Sequence, residues 1–167
     1  MSGTSLLPVG GRDADEKRMR LLASVLAPDS PEPLFLMLPG TPASKSRPRF
    51  SREGRAYKAS ADEEAETRTA WLLRRAFRQP WTGNLAVGAV FFRPDRQRID
   101  VDNLLKHVCD AGNGIAWVDD AQITAVYGVI ELDAAAPRTL LVVAHHSSSL
   151  DRTGVAAPRP AQRRGRR

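Results

Sequence analysis

The pattern of apolar and polar positions divides the chain into a core and two flanks. The first sustained apolar run, Leu34-Phe35-Leu36-Met37-Leu38, is closed by Pro39-Gly40. Its length and its flanking turn residues predict a buried strand rather than a helix. Ser60-Ala61-Asp62-Glu63 reads as a capping box with Ser60 as N-cap, and Ala65, Thr69, Leu72, Leu73, Ala76 and Phe77 continue it as a helical stripe that Pro80 closes. Acidic residues crowd the start of this helix and Arg74, Arg75 and Arg78 its end, as the macrodipole prefers. Leu85 to Phe92 is apolar on both alternating faces, which predicts an interior strand. A second helix is predicted from Asp102 to Ala111, with Leu104, Leu105, Val108 and Cys109 on its apolar face and Gly112-Asn113-Gly114 as its stop. Two further strands follow, Ile123 to Leu132 and Thr139 to Ala144.

These elements predict an α+β single domain over residues 34–146, a mixed β-sheet with two main helices packed on it. Residues 1–33 form an N-terminal extension with a short helix, Glu16 to Leu26, and the proline-punctuated link Pro28-Asp29-Ser30-Pro31-Glu32-Pro33. This extension is expected to be flexible or only loosely docked. The segment 147–167, rich in Ser, Ala, Pro and Arg, is expected to be a disordered tail.

Composition changes this picture little. With 42% hydrophobic and 26% charged residues, the chain has the balance of a soluble globular protein. No apolar run approaches the ~20 residues that cross a bilayer, so no membrane partner is expected. The start lacks the basic and long apolar regions of a secretory signal. The lone cysteine, Cys109, cannot form an internal disulfide, and the expected location is cytoplasmic. Net charge does change the picture. Of the formal +6, residues 151–167 carry +5, residues 1–30 carry zero and residues 31–150 only +1. The basic bias therefore belongs to the tail, as a solvated end or as non-specific attraction to phosphate.

The chemistry concentrates in Arg98-Ile99-Asp100-Val101-Asp102-Asn103-Leu104-Leu105-Lys106. In extended chain, carboxylates two residues apart point to one side. Their repulsion asks for a cation, a proton or a basic partner. Hard oxygen ligands of this kind suit Mg²⁺ or Mn²⁺ better than zinc. Asp102 is also a candidate helix N-cap, and Lys106, four residues on, a candidate salt-bridge partner for it or a cation beside the metal site. Asp119-Asp120 precedes a strand, where such a pair is more often a turn or cap than a ligand. Taken with the first pair and a lysine, it completes the set that a phosphodiester nuclease needs.

The run Asp100-Val101-Asp102-Asn103-Leu104-Leu105-Lys106, then Asp110, Asn113-Gly114 and Trp117-Val118-Asp119-Asp120-Ala121-Gln122-Ile123, resembles the signature of the RusA family of Holliday-junction resolvases. The upstream loop, with Gly40, Pro42, Lys45, Arg47, Pro48 and Arg49, is similar to that family's basic N-terminal loop. The resemblance covers roughly residues 34–145. It implies a homodimer that binds four-way DNA junctions and nicks opposed strands with Mg²⁺, in DNA recombination and repair. It implies catalytic roles for Asp100, Asp102, Lys106 and Asp120, with Asp119 as a further metal-binding carboxylate. Two other readings stand beside it: a junction-binding module that does not cleave, and a metal-dependent phosphohydrolase acting on nucleotides. The clustered carboxylates argue against the first, the basic loop and tail against the second.

Lys45, Arg47, Arg49 and Arg52 on the proline-stiffened loop, and Arg98 before the acidic run, are candidate phosphate contacts. Arg93 and Arg96 are weaker candidates. His107 and Cys109 lie two apart on a helix and so on different faces, which argues against a metal pair. His107 is expected at the surface or as a minor DNA contact, and Cys109 in the core. His145-His146 and the three tryptophans, Trp71, Trp81 and Trp117, are expected to be structural.

Overall fold

The computed structural model describes residues 13–45, 49–50, 56–57 and 60–150. In chain order the elements are α1 (Asp13–Leu26), β1 (Leu34–Pro39), β2 (Arg49–Phe50), β3 (Ala56–Tyr57), α2 (Ser60–Ala76), β4 (Leu85–Arg93), α3 (Val101–Gly112), a 3₁₀ turn (Asp120–Gln122), β5 (Ile123–Leu132) and β6 (Arg138–His145). The expected α+β architecture is present. A mixed sheet orders its strands β1-β6-β4-β5, with β4 and β5 parallel and the other neighbours antiparallel. Parallel neighbours need a crossover, and α3 lies within the connection from β4 to β5. Past the basic loop, a two-residue ribbon pairs Arg49 with Tyr57 and Phe50 with Ala56.

Every residue of β4 is buried. Leu85, Val87, Ala89 and Phe91 face one side, where they join Leu36, Leu38, Leu141 and Val143 under Leu73 and Phe77 of α2 and Leu104 and Val108 of α3. The alternate residues Val90 and Phe92 face the other side with Leu140 and Val142. That second face is covered by α1, through Met19 and Ala23.

The docking of α1 corrects the expectation of a loosely docked extension for Asp13–Leu26. Met19 is fully buried. Asp15 accepts from Arg138 of β6 through both carboxylate oxygens, at 2.8 and 2.7 Å, and both side chains are buried. Arg138 also donates to Asp133 at 2.7 Å and lies over the Phe92 ring at 3.8 Å. Such bidentate pairing is geometrically demanding, so it fixes where α1 sits. The domain therefore holds three packed helices rather than two. Residues 1–12 and the tail residues 151–167 lie outside the described residues.

Truncating a fully buried methionine removes apolar contact and leaves a cavity. Met19→Ala is expected to lower unfolding free energy by about 2–5 kcal/mol in urea. A change near zero would return α1 to the status of a loose extension.

Candidate active site

The acidic run begins where the chain leaves β4 and enters α3. Asp100 occupies the N-cap position with extended backbone, φ −88° and ψ 131°, but its side chain makes no capping bond. Asp102, proposed from sequence as the cap, lies inside the first turn. Asn103 ties the two carboxylates together. Its backbone N–H donates to Asp102 Oδ1 at 2.9 Å and its side-chain amide to Asp100 Oδ2 at 3.5 Å. The helix start is seated by a close approach to the sheet. A Cβ on Gly128 of β5 would lie 2.8 Å from both Leu105 Cδ1 and Val101 Cγ2, so any larger residue there would force these side chains of α3 to shift.

The far end of α3 is held by Trp117, which is fully buried. Its indole N–H donates to the Cys109 carbonyl at 3.1 Å. A Cβ on Gly112 would overlap the Trp117 ring, so glycine is required there. The loop carrying Asp119 and Asp120 follows directly. Buried Gln122 organises it, accepting from the N–H groups of Val118 and Asp119 at 2.8 and 3.0 Å. The Gln122 amide then donates to the carbonyls of Trp81 and Gly83 at 3.0 and 2.9 Å. Asp119 caps the 3₁₀ turn by accepting from Ala121 N–H at 2.8 Å. Asp120 is exposed and makes no ion pair among the described residues.

Asp100 and Asp102 are thus brought together, while Asp119 and Asp120 lie beyond the other end of α3. Cys109 lies between them in sequence and feels the field of Asp120. Burial, with Asp120 and Asp110 adding to it and Lys106 opposing it, pushes the Cys109 thiol up to about 12. It is therefore an unreactive thiol at neutral pH. Among the described residues, no group of three or more His, Cys, Asp or Glu side chains is gathered closely enough to hold a metal ion alone. The donor chemistry nonetheless fits Mg²⁺, which retains several waters and is held by one or two carboxylates plus substrate phosphate rather than by an all-protein cage.

The basic candidates separate. Lys106 is exposed and makes no ion pair with Asp102 among the described residues, although the spacing allows one. Arg98 is exposed. Arg93 is buried, donating to the Pro42 carbonyl at 3.3 Å and to Asp95 at 2.9 Å. Lys45 is half-buried and its ammonium pairs with Asp110, with Glu66 at 3.7 Å. Arg47 and Arg52 lie outside the described residues, and Arg49 opens β2.

Two further expectations need correction. His107 is buried rather than at the surface, and its Nε2 lies 3.0 Å from Thr69 Oγ1 of α2. Its neighbour positions made it look solvent-facing, but α2 covers that side of α3. Trp71 is 57% exposed and lies under Arg75, whereas Trp117 packs as expected and Trp81 stacks on His145 at 4.9 Å. Asp110, Glu66 and Gln122 were not singled out from sequence as ionic or polar anchors. The ion-pair partners of Asp110 and Glu66 lie tens of residues away, beyond any local spacing rule, whereas Asp119 and Gln122 form a capping box whose spacing is present in the sequence.

A family match over residues 39–143 makes the chain a DNA endonuclease, an enzyme that hydrolyses phosphodiester bonds. Residues 39–143, more than half of the chain, match the family described as endodeoxyribonuclease RusA, and the chain belongs to that family. No curated protein matches the chain. Among the described residues no helix is long and apolar enough to cross a membrane.

Two outcomes follow from this geometry. Gln122→Leu leaves buried backbone groups of the Asp119–Asp120 loop without partners, and is expected to cost on the order of 3 kcal/mol in urea unfolding. Burial, opposed by Glu66, Asp110 and Asp62 and aided by Lys45, holds His107 below its ordinary value of 6.5. The neutral ring is the folded form, so its contribution to stability is complete above pH 6.5 and lost as pH falls through the lower folded value. Thermal midpoints are therefore expected to fall less between neutral and mildly acid buffer in His107→Gln than in the wild type. An equal fall would show that His107 does not titrate with folding.

Proposed function

We propose that this endonuclease resolves four-way DNA junctions by paired nicking, with Mg²⁺ as cofactor and Mn²⁺ as a substitute. A contrast in charge carries the reading. Asp15, Asp95, Asp110 and Asp133 each face a cation. Asp100, Asp102 and Asp120 are exposed and make no ion pair among the described residues. Asp100 and Asp102, left together without a cation, repel each other, an unfavourable arrangement that a divalent ion would relieve.

Asp100 and Asp102 would hold the ion at the start of α3; Asp120, on the turn beyond the other end of the helix, is the third carboxylate of the proposed set but is not gathered with them among the described residues. When bound, Mg²⁺ sets positive charge against the phosphate and makes water a better nucleophile. Water attacks phosphorus in line and gives up a proton to solvent, the bond from phosphorus to the leaving oxygen breaks, and that oxygen takes up a proton from solvent. Lys106, one turn along α3 from Asp102, presents an ammonium to the phosphate as charge develops. Asp119 shapes the turn that presents Asp120. Arg98, with Arg47, Arg49 and Arg52 of the basic loop, neutralises backbone phosphates on either side of the cut. Two opposed nicks call for two centres related by a two-fold axis, hence a homodimer. The setting is DNA recombination and repair in the cytoplasm.

Labelled four-way junction and linear duplex, incubated with the wild type and Asp102→Asn, test the reading. Wild type is expected to nick the junction in preference to duplex, and chelating the metal to stop it. Asp102→Asn is expected to bind the junction while cutting it slower by about two orders of magnitude. Equal cutting of duplex would remove junction selectivity, and undiminished cutting by the variant would remove Asp102 from the centre.

A further inference from the structure

We propose that Lys45 acts as a latch that seats the stem of the basic loop on α3, a positioning residue for DNA engagement rather than a phosphate contact. This rests on the functional reading above and goes beyond it. The stem, residues 40–45, is fixed at successive points. Gly40 N–H donates to the Pro137 carbonyl at 3.0 Å, and Arg93 to the Pro42 carbonyl at 3.3 Å. Lys45 N–H then donates to the Asn103 carbonyl at 3.0 Å, while its ammonium reaches along α3 to pair with Asp110 and, at 3.7 Å, with Glu66 of α2. One residue therefore grips α3 at both its first turn and its last.

Two features turn this grip into a functional claim. Asn103, which receives the Lys45 N–H, is the residue whose own amides hold Asp100 and Asp102. The stem of the basic loop and the acidic pair thus share one residue, Asn103. Lys45 is also already neutralised. Its side chain is 25% exposed, with Asp110 18% and Glu66 27% exposed beside it. Burial works to lower the ammonium's affinity for its proton, but the hydrogen bond and field of Asp110, with Glu66, outweigh burial and hold it above its ordinary value. A phosphate approaching Lys45 would have to displace one carboxylate and lie beside another, which like-charge repulsion opposes.

The two roles predict opposite signs for one substitution. If Lys45 contacts phosphate, Asp110→Asn frees it and removes a nearby negative charge, so junction binding tightens. If Lys45 is a latch, Asp110→Asn weakens binding as Lys45→Met does. The experiment compares wild type, Lys45→Met, Asp110→Asn and the double variant for binding of a synthetic four-way junction across a salt series. Amide hydrogen exchange of the DNA-free proteins is measured alongside. Each single variant is expected to bind about tenfold more weakly, and the double variant no more weakly than either, as residues acting as one unit do. The salt slope for Lys45→Met is expected to stay unchanged, whereas a lost phosphate contact would lower it by about one. Exchange at Lys45 N–H is expected to rise by about tenfold in Asp110→Asn, with the rise confined to residues 40–45.

Tighter binding by Asp110→Asn, additive losses, or a reduced salt slope would each overturn the latch. So would faster exchange spread through α3 and the sheet, which would make the pair a general stabiliser. A wild type that ignores the junction would overturn the functional reading itself, and with it the role in DNA engagement. A wild type that binds the junction while Lys45 exchange stays unchanged in Asp110→Asn would overturn the latch alone.

Discussion

The complete burial of β4 is the constraint from which the rest of the domain follows. A strand at the middle of a sheet with apolar residues on both faces must be covered twice. One layer of helices can satisfy only half of it. With each buried large apolar side chain contributing about 1.5–3 kcal/mol, leaving either face open would forfeit much of the stability of a domain this size. Helices α2 and α3 cover one face and α1 the other. Because β5 is parallel to β4, the connection must cross over, and α3 lies in that crossover. The acidic run is therefore held at the point where the chain turns from the central strand into a helix that the core already fixes.

Apolar area alone would let α1 slide on its face of the sheet. Asp15 and Arg138 remove that freedom, because a two-pronged bond between buried charges has one good geometry. Taking both ions from water offsets much of their attraction, so the pair adds more to specificity of docking than to net stability. Arg138 is further satisfied by Asp133 and by the Phe92 ring beneath it. The exposed pair between Arg18 and Glu131, at 3.2 Å, reinforces the same docking but contributes at most about 1 kcal/mol.

Elements whose information is local were legible in the sequence, and contacts between distant residues were not. β5 runs over Ile123–Leu132 as the apolar pattern predicts, and β4 and β6 extend theirs by a residue or two. The helix from Asp102 gains a residue at either end, since Asp100 rather than Asp102 takes the cap position. The family signature was equally legible, because its residues lie in one continuous stretch. By contrast, the docking of α1 turns on a bond between residues 123 apart in sequence, and the Lys45–Asp110 pair on one spanning 65. His107 looked solvent-facing because helical periodicity describes α3 alone and cannot show that α2 covers its other side. The two-residue ribbon of β2 and β3 is too short to carry a period at all.

The two lysines near the acidic run show how tertiary structure assigns charge that local spacing cannot. Asp102 and Lys106 stand four apart, the spacing of a helix salt bridge, yet among the described residues they do not pair. Lys45, with no helical neighbour to suggest it, is the one that meets carboxylates, and they come from two different helices. An ion pair that is partly withdrawn from water is harder to exchange for a phosphate than one in open solvent, where screening weakens every partner alike. Lys45 is thereby committed to the fold. Lys106 keeps its side chain exposed one turn from Asp102, with no ion pair among the described residues to commit its charge to the fold.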